Sequence, residues 1–194
     1  KNGEVISDTP LTCESEDGMS SHECLTVENI IKFAEEVDLA DVEYLLSRQI
    51  ECNTAISNEG LKNPWGACIG QTLMAVAGDN IMNRAKARAA AGSDARMNGC
   101  AMPVVILSGS GNQGMTASLP VIVYAEHYEK SDVQLYRALV FSNLVTIHLK
   151  TGIGRLSAYC GAVSAACGAG AAIAYLLGEV QPPEALYRQV CDTI

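Results

Sequence analysis

Basic residues are scarce in this chain: 13 Lys and Arg stand against 22 Asp and Glu, for a formal net charge of −9. A nucleic-acid partner needs a basic face, and an anionic membrane surface attracts cationic segments. Neither partner is expected, and the charge reads first as a device for solubility. Aromatic residues are also few, at 5%, while Ala and Gly are abundant. Small residues let backbones approach closely, so tightly packed helices are predicted. No C-x-x-C pair occurs, which argues against a zinc ribbon. A strongly apolar run of membrane-spanning length is missing as well. The uncharged stretch from Gly161 to Gly178 approaches that length, but it consists mostly of Ala, Gly, Ser and Cys and reads as a buried helix.

What is present fits one domain. The 194 residues are 48% hydrophobic, enough for a sizeable core. Eight cysteines occur: Cys13, Cys24, Cys52, Cys68, Cys100, Cys160, Cys167 and Cys191. Several lie inside apolar helical segments and no secretory leader is visible, so mostly buried free thiols in a reducing cytoplasm are expected. The residues begin with Lys1 and end at Ile194 in a stretch that reads as helix. A piece of a longer protein is therefore expected.

Residues 1–23 are polar and broken by Asn2-Gly3 and Pro10, suggesting a short strand and a loop, the end of an upstream region. From residue 24 to 194 the pattern is that of one mainly α, compact multi-helix domain. Val27, Ile30, Ile31, Ala34 and Val37 recur at helical spacing. Asp38 or Asp41 can cap a second helix carrying Val42, Leu45, Leu46 and Ile50, and residues 58–66, NEGLKNPWG, read as a loop. A single long helix is expected from about Ile69 to Ala91, then a break in which Ser93 can cap. Met115, Leu119, Ile122 and Val123 mark a helix that Pro120 should kink or delay. Asp132 is expected to cap the next helix, with Leu135, Leu139, Val140, Leu144 and Ile147 as its core stripe and a break at Lys150. A last long helix is expected from about Ala158 to Leu177, and Pro182-Pro183 opens a terminal helical stretch.

Three features carry chemistry. The apolar run Val104–Leu107 leads into SGSGNQG, residues 108–114, whose Gly109, Gly111 and Gly114 spell G-x-G-x-x-G. A dinucleotide fold needs a second strand soon afterwards, and none is visible between Met115 and Lys150. Glycine N–H groups at a helix start also bind anions. Gly111, with Ser108, Ser110, Asn112 and Gln113 as side-chain donors, fits a carboxylate as well as a phosphate. A locally capped tight turn is the other open reading. Ser157 can cap the last helix and place Cys160 in its first turn, where the helix dipole favours a thiolate. Such a thiolate could be a nucleophile or metal ligand, and a buried inert thiol fits equally. His127 is a candidate general base, although a histidine near a helix end is more often structural.

Together SDARM (93–97), SGSGNQG, VYAEH (123–127) and RLSAYCGAVSAACGAGA (155–171) resemble the L-cysteine desulfidase family, related to the α chain of bacterial iron–sulfur L-serine dehydratases. The resemblance runs from about Leu25 to Gly178. It implies a pyridoxal-free lyase whose [4Fe–4S] cluster is held by three cysteines and leaves one iron open as a Lewis acid. The β-substituent of L-cysteine or L-serine would be eliminated, giving pyruvate, ammonia and, from cysteine, sulfide. Cys160 matches the family ligand in RLSAxC. The upstream GCTEP-type motif is missing, and Cys191 in VCDTI neither keeps the family's spacing nor its glycine. The expectation is one ligand of three, and hence no stable cluster and no activity in this piece alone. A small amino acid is the expected partner, with self-association into a homo-oligomer left open. The competing reading is a non-catalytic amino-acid- or anion-binding domain on the same scaffold.

Overall fold

A computed structural model describes residues 22–153 and 160–178. The described part is all helical: α1 (Val27–Glu36), α2 (Leu39–Lys62), α3 (Ile69–Ala77), α4 (Ile81–Met97), α5 (Gly111–His127), α6 (Asp132–Ile153) and α7 (Gly161–Leu177). Its sole β feature among those residues is an isolated bridge between Leu107 and Ser110. The mainly α expectation is correct, and with helices over 111–127 and 132–153 the described residues hold no second strand for a dinucleotide fold. The expected N-terminal strand, Ser157, Cys191 and the stretch opened by Pro182 lie outside the described residues.

Helix α5 is the centre of the bundle, packed against α2, α4, α6 and α7. Its Met115, Leu119 and Val121 meet Phe141, Leu139 and Val145 of α6, Ile56 of α2 and Ala169 and Ala172 of α7 in one buried cluster. Abundant small residues set the spacing, as anticipated. A Cβ on Gly60 of α2 would fall 2.0 Å from the Ala91 carbonyl oxygen of α4, and one on Gly168 of α7 would fall 2.6 Å from that of Ser142 in α6. These helices cross at backbone contact, which only glycine permits.

Several predicted boundaries move, each for a local reason. Helix α2 runs through the expected NEGLKNPWG loop as far as Lys62, because Gly60 is needed inside it for the α4 crossing. Beyond it, Asn63 Nδ2 and Trp65 Nε1 donate to the Glu59 carboxylate at 2.7 and 3.1 Å. These two bonds, Asn63 first, hold that carboxyl below its usual range. The single Ala-rich helix is two, split at Gly78 (φ 79°). Ser93 lies inside α4 rather than capping a later helix. Pro120 neither delays α5 nor ends it: the helix starts nine residues earlier, at Gly111, and runs through Pro120, which has no N–H to donate to Thr116. The cap of α6 is Ser131, not Asp132. Ser131 Oγ accepts from Gln134 N–H at 3.3 Å while Gln134 Oε1 accepts from Ser131 N–H at 3.0 Å, a reciprocal capping box. The same helix continues past Lys150 to Ile153.

The run Val104–Leu107 is extended but belongs to no sheet. Asn53, fully buried in α2, takes the place of a neighbouring strand. Its Oδ1 accepts from Val105 N–H at 2.9 Å and its Nδ2 donates to the Val105 carbonyl at 3.3 Å. Nδ2 also donates to Ser118 Oγ at 3.1 Å, and Ser118 Oγ donates to the Gly114 carbonyl at 2.7 Å. One buried amide thus ties the extended segment to the first turns of α5.

Candidate functional site

The glycine turn is a two-residue reversal. Leu107 and Ser110 exchange both backbone hydrogen bonds, each 3.1 Å. Between them Ser108 (φ 48°) and Gly109 (φ 91°) both take positive φ, the geometry of a tight hairpin turn. Glycine answers that demand at position 109. The other two glycines answer crowding: a Cβ on Gly111 would meet Arg96 Nε at 2.5 Å, and one on Gly114 the Val105 oxygen at 2.0 Å. Gly111, Asn112 and Gln113 are not loop, as the sequence suggested, but the opening turn of α5, with Ser110 as its N-cap.

Most helix starts here are closed by a side chain. Thr26 serves α1, Asp38 α2 and Asn80 α4. Ser131 serves α6, and α3 borrows Asp94, whose Oδ2 accepts from Ile69 N–H at 2.7 Å. The N-caps of α5 and α7, Ser110 and Cys160, make no side-chain cap bond. First-turn N–H groups have no partner within the helix and carry its positive end.

These two starts meet. Gln113 is 2% exposed, and its amide lies against Gly161, where an added Cβ would come within 2.2 Å of Nε2. Among the described residues, Gln113 Nε2 is buried without a hydrogen-bond partner. An unmet buried donor costs about 1–3 kcal/mol, so it marks a place where the fold gives up stability. Arg96, half-buried at the end of α4, donates from Nη1 to Asn112 Oδ1 at 3.1 Å and brings a full positive charge to the first turn of α5. Sequence reasoning did not select Arg96 as a site residue. It lies inside the SDARM segment, and only the crossing of α4 with α5 sets it there.

The structure therefore brings Ser110, Gly111, Asn112 and Gln113 together with the segment that begins at Cys160. Ser108 is exposed on the turn above them. Cys160 itself is exposed and is the N-cap of α7, one position before the first turn expected for it. His127 does not join them. It ends α5, sixteen residues from Gly111, or about 24 Å at ~1.5 Å per residue. Among the described residues no group of three His, Cys, Asp or Glu is arranged to hold a metal ion. None of the described helices is long and apolar enough to cross a membrane.

The site as described is thus two helix starts without an N-cap side-chain bond, a cation and, among the described residues, one buried amide donor without a partner, within an all-α bundle. The family follows from comparison: a model described as the serine dehydratase alpha chain matches residues 10–187, and the chain belongs to that family. It is 54% identical to a UPF0597 protein of Desulfitobacterium hafniense over 178 residues, 92% of this chain and 41% of that protein. A UPF0597 protein of Lachnoclostridium phytofermentans is 55% identical over 178 residues, 92% of this chain and 42% of the relative. One of Treponema denticola is 44% identical over 200 residues, covering 100% of this chain and 45% of the relative. The chain thus spans about two-fifths of the length of these curated relatives. No solved structure matches.

Proposed function

We propose that this chain supplies the carboxylate-binding side of a serine dehydratase-like lyase. The reaction eliminates the β-hydroxyl of L-serine, or the β-thiol of L-cysteine, and the resulting enamine tautomerises and hydrolyses to pyruvate and ammonia. The observation that carries this reading is Gln113 Nε2, buried where the starts of α5 and α7 meet and without a partner among the described residues. The substrate carboxylate accepts from Gln113 Nε2 and from first-turn N–H groups of α5, with Ser108 and Ser110 at the rim and the Arg96 charge behind. Donors fixed there before the reaction draw charge from the carboxylate. That lowers the cost of the carbanion-like character at Cα as the α-proton leaves. In this reading His127, at the other end of α5, is too far from the carboxylate to take this proton.

Family resemblance further implies a [4Fe–4S] cluster whose open iron, when bound, acts as Lewis acid on the β-substituent. The described residues do not make a set that holds one: Cys160 is a single exposed thiol. In this reading Cys160 is one ligand, the others lie elsewhere in a protein of the relatives' length, and no step is derived through the cluster.

The test is turnover by a protein of the relatives' full length, prepared anaerobically. Release of pyruvate from L-serine, or of pyruvate and sulfide from L-cysteine, is expected. Binding of L-serine without either product would favour a non-catalytic amino-acid-binding domain, and absence of both would end the two readings together. Full cluster occupancy after Cys160→Ala would remove Cys160 from the ligand set.

A further inference from the structure

The VYAEH segment has no part in the site above, and its last two residues lie on a cavity of about 410 Å³ at the far end of α5. That volume falls within the ~300–1,000 Å³ typical of small-molecule sites. Charged groups on its wall are Asp79, Arg84 and Arg88 from α4 and the break before it, and Glu126 from α5, with His127 beside them. Leu61, Met74 and Val123 supply apolar lining from three different helices.

We infer that this cavity is a second site, for a free α-amino acid with an aliphatic or thioether side chain. Charge distribution selects the class. Asp79 already pairs with Arg84, Oδ1 to Nε at 2.5 Å. Arg88 stands one helical turn from Arg84 and donates to Asn58 Oδ1 from Nη1, while a guanidinium has five N–H donors in all. Glu126 makes no ion pair among the described residues. One cation and one carboxylate are thus left on a shared wall. A simple anion would face Glu126 and a simple cation would face Arg88, whereas a zwitterion satisfies both. Its carboxylate accepts from Arg88, its ammonium donates to Glu126, and its side chain lies on Met74, Leu61 and Val123.

Isothermal titration of the protein with L-methionine tests this, with N-acetyl-L-methionine and L-methioninamide as probes that each lack one charge. Saturable binding of L-methionine is expected, weakened at least about tenfold by either derivative and by Glu126→Gln or Arg88→Gln. Glu126 is exposed, so its substitution leaves folding intact and keeps the test decisive if the Arg88 variant unfolds. Absence of binding at millimolar L-methionine, binding indifferent to Glu126→Gln, or equal affinity for the N-acetyl derivative would overturn the inference.

Discussion

Helices α4 and α5 both start after a positive-φ glycine, and the two starts are built to opposite ends. Before α4, Gly78 turns the chain and Asn80 Oδ1 accepts from Asn83 N–H at 2.9 Å. Asn83 Nδ2 returns two bonds, to the Ala77 and Gly78 carbonyls at 2.8 and 2.9 Å. The polar groups of the break are answered by one another, and space beside Gly78 is open. Before α5, Gly109 turns the chain, yet Ser110 makes no cap bond and Gln113 Nε2 has no partner among the described residues. Space beside Gly109 is open too, but the helix residues that follow are crowded: Arg96, Val104 and Val105 press on Gly111 and Gly114. A break that serves the fold satisfies itself. This other one is crowded while one buried donor stays unanswered among the described residues, which fits the binding role proposed above.

Substitution of Gly114 tests the crowded half of that contrast and carries the largest expected effect. In Gly114→Ala the new Cβ meets the Val105 carbonyl, which Asn53 holds from the other side. Backbone on both sides leaves nothing flexible to yield, so a loss of about 3 kcal/mol in denaturant unfolding is expected, at the upper end for overpacking. A variant as stable as the parent would show that the start of α5 is slack and the comparison mistaken.

Gln113→Leu addresses the unanswered half. Replacing a buried amide that lacks a partner by an apolar group of similar size should leave the unfolding midpoint unchanged or raise it. Affinity for L-serine should fall about tenfold or more, since a donor to a charged group contributes roughly 1.5–3 kcal/mol. A clear drop in stability with unaltered binding would make Gln113 a packing residue.

What could be read from the sequence divides along the same line. Apolar periodicity placed α1 and the core stripes of α5 and α6 because helical spacing is a local property. Glycine meaning was harder to read. Gly60 and Gly78 look alike in a sequence, but one lies within helix α2 against Ala91 and the other ends α3. The difference is set by a partner helix. SGSGNQG was legible as a donor-rich segment, and its nearness to the Cys160 segment is seen through Gly161 against Gln113. Arg96 was not, because its role depends on the α4–α5 crossing. Nothing local to the apolar run before the turn announces that a side-chain amide, Asn53, binds both backbone groups of Val105.

The smallest effects give the sharpest contrast, because both come from removing one polar atom at an N-cap. Asn80→Ala removes the acceptor for Asn83 N–H and should cost about 1 kcal/mol. Ser110→Ala removes a hydroxyl that makes no cap bond, so its unfolding free energy should stay within about 0.5 kcal/mol of the parent. Binding should respond in the reverse sense: Asn80→Ala leaves L-serine affinity unchanged, while Ser110→Ala weakens it by the loss of one rim donor. Equal destabilisation by the two substitutions would mean that the Ser110 hydroxyl caps α5 in solution. The N-terminus of α5 would then be closed like that of α4, and the carboxylate would have to bind elsewhere.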